Sequence, residues 1–251
     1  MELRKEQYEQ IKECFPKHRK PAKISNLDVL NAVLYVVENG CKWRSLPKEY
    51  GDWHVIYVRM NRWAKNGVLQ AAFLRLQQLG IIHIKANVVS LDSTCIKVHP
   101  GGMGALKKWP SVHWENMGGW NTKLHMVAAS DRDGVIFSLS AGTCGDGPEG
   151  RALLRQPGPA DHPVYLLMDR AYEGDETRAI AVELGYIPVV PPKSNRKNPW
   201  DYDKQLYKQR NQIERIFCRI KRFCRIFARY DKLDVIFLAF VYFALIFDVL
   251  M

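Results

Sequence analysis

Apolar positions recur at spacings of three and four through roughly the first eighty residues, and alternate after them. The first part therefore reads as helical. Glu2–Phe15 forms a charged amphipathic segment ended by Pro16, and a basic loop, KHRKPAK, follows. Ser25 and Asp28 have the spacing of a capping box. They open a helix with Leu27, Leu30, Leu34 and Val37 on one face, which Gly40 closes. Asp52 is placed to cap a helix over Trp53–Lys65. After Gly67 a further amphipathic helix covers Val68–Leu79. Short helices joined by tight turns suit a helix-turn-helix reader of DNA, and equally suit any small helical bundle.

From Asn87 the period becomes two. Asn87–Val98, Asn121–Ser130 and Val135–Ser140 read as strands, the last two joined in a hairpin at Asp131–Gly134. Residues 99–121 are rich in Gly, Pro and Trp and read as a long functional loop. Asp146 reads as a turn or cap residue before a short helix, Glu149–Leu154. Pro163–Met168 is a continuous apolar run, the pattern of a strand buried on both faces. A helix over Glu176–Leu184 and a strand over Tyr186–Val190 follow, and Pro188 assigns that strand to an edge or a bulge. Leu206–Tyr230 contains no Gly or Pro and reads as one helix. Its apolar stripe is Ile213, Ile216, Phe217, Ile220, Phe223 and Phe227. Val235–Phe247 is apolar all round but short of the ~20 residues a bilayer span needs, so it reads as a buried helix.

Charge changes this picture in one place. The 251 residues carry a net charge of +11, and Lys193–Lys232 alone holds thirteen Lys/Arg against four Asp/Glu. A basic concentration of that size points to a polyanion, most simply nucleic acid. The six cysteines form no CxxC and no zinc-spaced cluster with histidine. Reduced thiols in a cytoplasmic, nucleoid-associated protein are the expectation. No P-loop, GxSxG, HExxH or GxGxxG is present, and the dispersed histidines, His99, His113 and His125 among them, read as surface or core residues.

Three acids stand where acids need a reason. Asp92 lies inside an alternating strand, on the face of Val88, Thr94 and Ile96. Asp169 follows directly on the buried run Pro163–Met168, at the strand end where ligands gather in α/β sheets. Glu214 is the single acid on its helix. On a helical wheel it falls within about 60° of Tyr207, Arg210, Lys221 and Arg225. The order β–β–β–α–β–α–β–α brings Asp92, Asp169 and Glu214 together over one sheet. Three carboxylates without nitrogen ligands suit Mg²⁺, with Mn²⁺ substituting, and phosphodiester chemistry.

The chain resembles the DDE transposases of bacterial insertion sequences, in the IS-four/IS-five-like group. Tyr207-x2-Arg210-x3-Glu214-x6-Lys221 matches that group's C-terminal signature at every fixed position. LDST at Leu91–Thr94 and MDRAYEGD at Met168–Asp175 resemble the segments around the family's first and second aspartates. Leu30–Trp53 resembles its helical N-terminal domain. The resemblance implies an α/β fold: an RNase H-like mixed sheet flanked by helices over residues 86–251, including the C-terminal helix. A small all-helical domain, residues 1–85, precedes it and binds DNA ends. It also implies metal ligation by Asp92, Asp169 and Glu214, and DNA contacts by Tyr207, Arg210, Lys221 and Arg225. The implied partners are terminal inverted repeats and target DNA, bound by a homodimer or larger assembly. A non-catalytic DNA-binding repressor, or the product of a decayed element, is the alternative. The 45 residues from Asp169 to Glu214 leave no room for the large β-insertion of some relatives. Any hairpin at an excised end would then fall to Trp200 or the Trp109–Trp120 loop.

Overall fold

The computed structural model describes residues 2–17, 22–102, 114–116 and 119–251. Most of the KHRKPAK loop and of the 99–121 loop, with Trp109 and His113, lies outside the described residues. In chain order the helices are α1 (Lys5–Glu9), α2 (Asn26–Asn39), α3 (Trp53–Lys65), α4 (Val68–Gln78), α5 (Asp146–Leu154), α6 (Asp175–Glu183), α7 (Lys204–Tyr207), α8 (Asn211–Ile220), α9 (Cys224–Phe227) and α10 (Asp234–Leu250). The strands used below are β1 (Val88–Val98), β2 (Trp114–Asn116), β3 (Gly119–Ala128), β4 (Gly134–Ala141), β5 (Val164–Met168) and β6 (Tyr186–Val189).

The chain divides into two compact units. The first comprises Met1–Ile82, Val98–Ser111 and Arg219–Met251, and its described part is mainly helical, with a two-residue strand at Ala228–Arg229. Ser25 caps α2 as its spacing predicts. Its hydroxyl accepts from the Asp28 amide, and the Asp28 carboxylate accepts from the Ser25 amide, both at 3.1 Å. Ser25→Ala removes that cap and is expected to cost about 1 kcal/mol in urea unfolding. At the other end of α2, Gly40 takes φ +64°, and a Cβ there would lie 2.8 Å from Cys224 Cβ. A glycine is therefore required both by the backbone and by the close approach of α9. Val33, Leu34, Ile56, Met60, Phe73 and Leu76 are buried here together with Phe237, Phe240, Phe243 and Phe247 of α10. The C-terminal helix thus packs with the N-terminal helices, whereas the sequence reading grouped it with the sheet. A helix apolar on every side carries no information about which unit it fills. Among the described residues no helix is long and apolar enough to cross a membrane.

The second unit, His83–Lys97 with Val112–Cys218, carries the sheet. Its principal strand order is β4-β3-β1-β5-β6, with β2 paired to the start of β3. On one side β1 pairs antiparallel with β3, and on the other parallel with β5, which pairs parallel with β6. Pro188 stands in the edge strand β6, where a missing amide costs no ladder bond on the open side. Leu91, Val127, Leu153, Leu166, Met168 and Tyr172 form the core. Gly150 lets α5 approach closely: a Cβ there would sit 2.6 Å from the Tyr172 ring and 3.1 Å from Leu91.

Candidate active site

The parallel pairing of β1 with β5 sets Leu91 opposite Met168. Asp92 and Asp169 are the next residues on the two strands, so the two carboxylates rise from neighbouring chains about 4.8 Å apart. Asp169 ends the apolar run and accepts a hydrogen bond from the Arg170 amide, which starts a short 3-10 turn. Asp92 accepts from the Ser93 amide at 2.8 Å and from Arg210 Nη1 at 2.7 Å. The other terminal nitrogen of Arg210 pairs with Glu214, one turn further along the chain. One guanidinium therefore bridges Asp92 and Glu214, and all four residues belong to the sheet unit.

Burial pushes the Asp92 carboxyl up to about 6. Asp169 and Glu214 add repulsion, while the Ser93 amide and Arg210 pull the other way. Burial draws Arg210 down, yet Asp92, Tyr207 and Glu214 leave it raised overall. Tyr207 lies 5.9 Å from the Arg210 guanidinium, ring to Cζ, and burial raises its phenol. Among the described residues no three His, Cys, Asp or Glu side chains are gathered into a metal cluster. The Arg210 bridge supplies the physical reason: two of the three acids are engaged with a cation of the chain itself. The donor chemistry nonetheless fits a hard divalent ion, since the set is all carboxylate and already collects around positive charge.

The structure corrects the single helix expected over Leu206–Tyr230. A 3-10 turn at Lys208–Arg210 separates α7 from α8. Backbone angles at Tyr207 and Asn211 remain helical, so Tyr207, Arg210 and Glu214 keep nearly the expected spacing. After Ile220 the chain turns, with the Arg222 and Phe223 amides bonded back to Arg219 and Ile220, and α9 begins afresh. Burial of Phe223 and Ile226 overrides a sequence that would continue the helix. The consequences are visible at both ends of the predicted stripe. Ile213, Ile216, Phe217 and Ile220 are buried, but Phe227 is 66% exposed. Lys221 lies in the turn itself. Arg225, expected on the DNA-facing strip, is 5% exposed; it pairs with Asp231 at 3.2 Å and donates to the Cys41 carbonyl. Its guanidinium lies 5.6 Å from the Trp43 ring centroid. Arg225 is thus a structural cation of the helical unit.

A second polar cluster has no counterpart in the sequence reading. Ser93 alternates to the sheet face opposite Asp92, and its hydroxyl donates to Asp146 at 2.8 Å. Lys123, on β3, reaches the same carboxylate oxygen at 3.0 Å and the Cys144 carbonyl at 2.8 Å. Asp146 opens α5, one residue after the Gly145 cap. Beside them His125 is fully buried, with Nε2 2.7 Å from Ser140 Oγ. The Ser140 hydroxyl also donates to the Ala141 carbonyl, so it accepts from Nε2–H, and His125 Nδ1 is left as a lone pair with no partner among the described residues. Burial draws the imidazole down to about 4, with Asp146 opposing that shift and Lys123 adding to it. The strand registers Ser93–His125 and Lys123–Ser140 hold this cluster together, and only the pairing of β1, β3 and β4 reveals it.

Comparisons with known proteins identify the family. Residues 83–246 match the family described as "Transposase DDE domain", and residues 3–73 match "Putative transposase of IS4/5 family". The chain is 33% identical over 124 residues to the "Putative transposase for insertion sequence element IS6501" of Brucella ovis, covering 49% of this chain and 93% of that one. It is 30% identical over 108 residues to the uncharacterised protein y4sN of Sinorhizobium fredii, covering 41% of this chain and 82% of that one. Among solved structures, the piggyBac transposase synaptic complex with hairpin DNA superposes with a TM-score of 0.53 at 8% identity, over 96% of this chain and 69% of that one. The likeness is one of fold, and the sheet is of the RNase H-like kind. With a family match across nearly two thirds of its length, the chain belongs to the DDE transposases of insertion sequences.

Proposed function

We propose that this transposase binds the ends of an insertion sequence, cuts the DNA there and joins the freed end to a target. The observation that carries the reading is the register of β1 and β5. It sets Asp92 beside Asp169, while Arg210 ties Glu214 to the same place. Asp92, Asp169 and Glu214 are the residues that would hold Mg²⁺, or Mn²⁺ in its place. Bound there, such ions would activate a water or 3′-hydroxyl and stabilise the departing oxygen. Asp92 and Asp169 are fixed by strands. Glu214 sits on a helix whose apolar side, Ile213, Ile216 and Phe217, is buried, so its approach is set by packing. Arg210 keeps the acids charge-balanced, and with Tyr207 and Lys221 it offers donors to backbone phosphates. The helical residues 1–85 serve as the end-binding part, and two copies pair two ends.

The test is a supercoiled plasmid carrying the inverted repeats that flank the gene. The expected result is nicking and excision in Mg²⁺ or Mn²⁺, and none in EDTA. Binding without cleavage in either metal would instead assign the chain to the repressor class.

A further inference from the structure

A cavity of about 560 Å³ opens in the sheet unit, and none of the three acids lines it. The segment Lys193–Trp200 forms one wall, and residues Glu173, Asp175 and Arg178 the other. Both walls leave the sheet at the carboxyl ends of its parallel strands. Leu167 pairs with Val189, so the chain departs β6 level with the point where β5 delivers Asp169. Glu173 lies four residues beyond Asp169. It is 5% exposed and holds Arg196 at 3.3 Å and Lys193 at 3.4 Å, which fastens the basic loop to the strand end.

The charges do not cancel. Arg178, Lys193, Arg196 and Lys197 face two carboxylates, Glu173 and Asp175, which leaves two positive charges in the cavity. Asp175 is engaged by Arg196 and by Arg178 at 3.7 Å. Among the described residues no ion pair uses Lys197, and the buried Nε–H of Arg178 lacks an acceptor. Both guanidiniums lie against Trp200: Arg178 Cζ is 3.6 Å and Arg196 Cζ 4.7 Å from its ring centroid. The indole is itself fixed by its N–H on the Val190 carbonyl at 2.9 Å. Guanidinium forks held beside an aromatic ring, with Asn195 and Asn198 lining the same cavity, are donors suited to phosphate oxygens. With guanidiniums on its ring, Trp200 acts as a plate for cations and not as a free stacking surface for a base, which revises the role first expected of it.

We propose that this cavity grips a backbone phosphate of the DNA strand that runs to Asp92, Asp169 and Glu214, with Lys193 and Lys197 neutralising charge and Arg178 and Arg196 orienting it. The inference rests on the reading of the chain as a DNA-cutting enzyme. The test is fluorescence anisotropy of the full chain with a fluorescein-labelled duplex bearing one inverted repeat, measured from about 50 to 200 mM NaCl. Lys193→Ala with Lys197→Ala removes two exposed side chains and is expected to lower the salt slope by about two, with affinity reduced at every salt. Arg132→Ala with Arg155→Ala removes the same charge from exposed sites elsewhere in the unit, and is expected to keep the wild-type slope. An unchanged slope in the lysine pair, or an equal loss in the arginine pair, overturns the proposal while the wild-type protein still binds and nicks DNA. A wild-type chain that neither binds nor nicks overturns the parent reading, and the cavity's role with it.

Discussion

Alanine at Asp92, Asp169 or Glu214 is expected to lower metal-dependent cleavage of end-bearing DNA by at least about 10³-fold, with duplex binding held within a few-fold. The size follows from the role proposed for each acid: loss of one anchor of a two-ion site would remove transition-state charge stabilisation worth several kcal/mol. The three positions are not equivalent for the fold. Asp92 is partly buried, at a cost in its ionised form, and its carboxyl is pushed up to about 6, so its removal relieves repulsion while releasing Arg210. Asp169 caps a short turn, and Glu214 is half-exposed and pairs, among the described residues, with Arg210. Thermal unfolding should therefore separate them: Glu214→Ala is expected to melt near the wild-type temperature and still fail to cut. A cleaving Glu214→Ala protein would exclude that carboxylate from the chemistry.

The second large effect concerns stability against pH. His125 is buried as a neutral ring and titrates near 4 in the folded chain, against about 6.5 unfolded. Between those values the unfolded state takes up a proton that the folded state refuses. The contribution is complete above about pH 6.5 and is lost as pH falls to about 4, in all about 3 kcal/mol. Asp92 works in the opposite sense, since its raised pKa lets the folded state bind a proton first between 3.8 and about 6. Total stability therefore conceals part of the histidine term, and the difference between two proteins exposes it. His125→Gln keeps a donor for Ser140 and cannot titrate. Urea unfolding at pH 7 and pH 4 is expected to show the wild type losing about 3 kcal/mol more than this variant. Parallel losses in the two proteins would mean that His125 is not held neutral.

Where a residue's placement depended on one strand or one helical turn, the sequence carried it. The alternation around Asp92 and the apolar run before Asp169 located both acids, and the pairing of β1 with β5 brings them together. The i,i+4 spacing of Arg210 and Glu214 likewise survives as an ion pair. Roles set by long-range packing were not legible. Nothing local marks the turn after Ile220, which Phe223 and Ile226 impose by entering the core, and so Arg225 and Phe227 were placed on the wrong faces. The partners of Glu173 lie twenty residues downstream, and those of Asp146 on two different strands. Such clusters exist only once the sheet is assembled.

That Asp169 touches a metal ion during cleavage is tested most directly by changing the ligand and the metal together. Asp169→Cys places a thiolate where a hard oxygen stood, and a thiolate holds Mg²⁺ poorly and softer divalent ions better. The expected result is cleavage lost in Mg²⁺ and regained in Mn²⁺, with Asp169→Ala inactive in both. Wild-type cleavage by Asp169→Cys in Mg²⁺, or an equal loss in the two metals, would contradict a metal-binding role for this carboxylate.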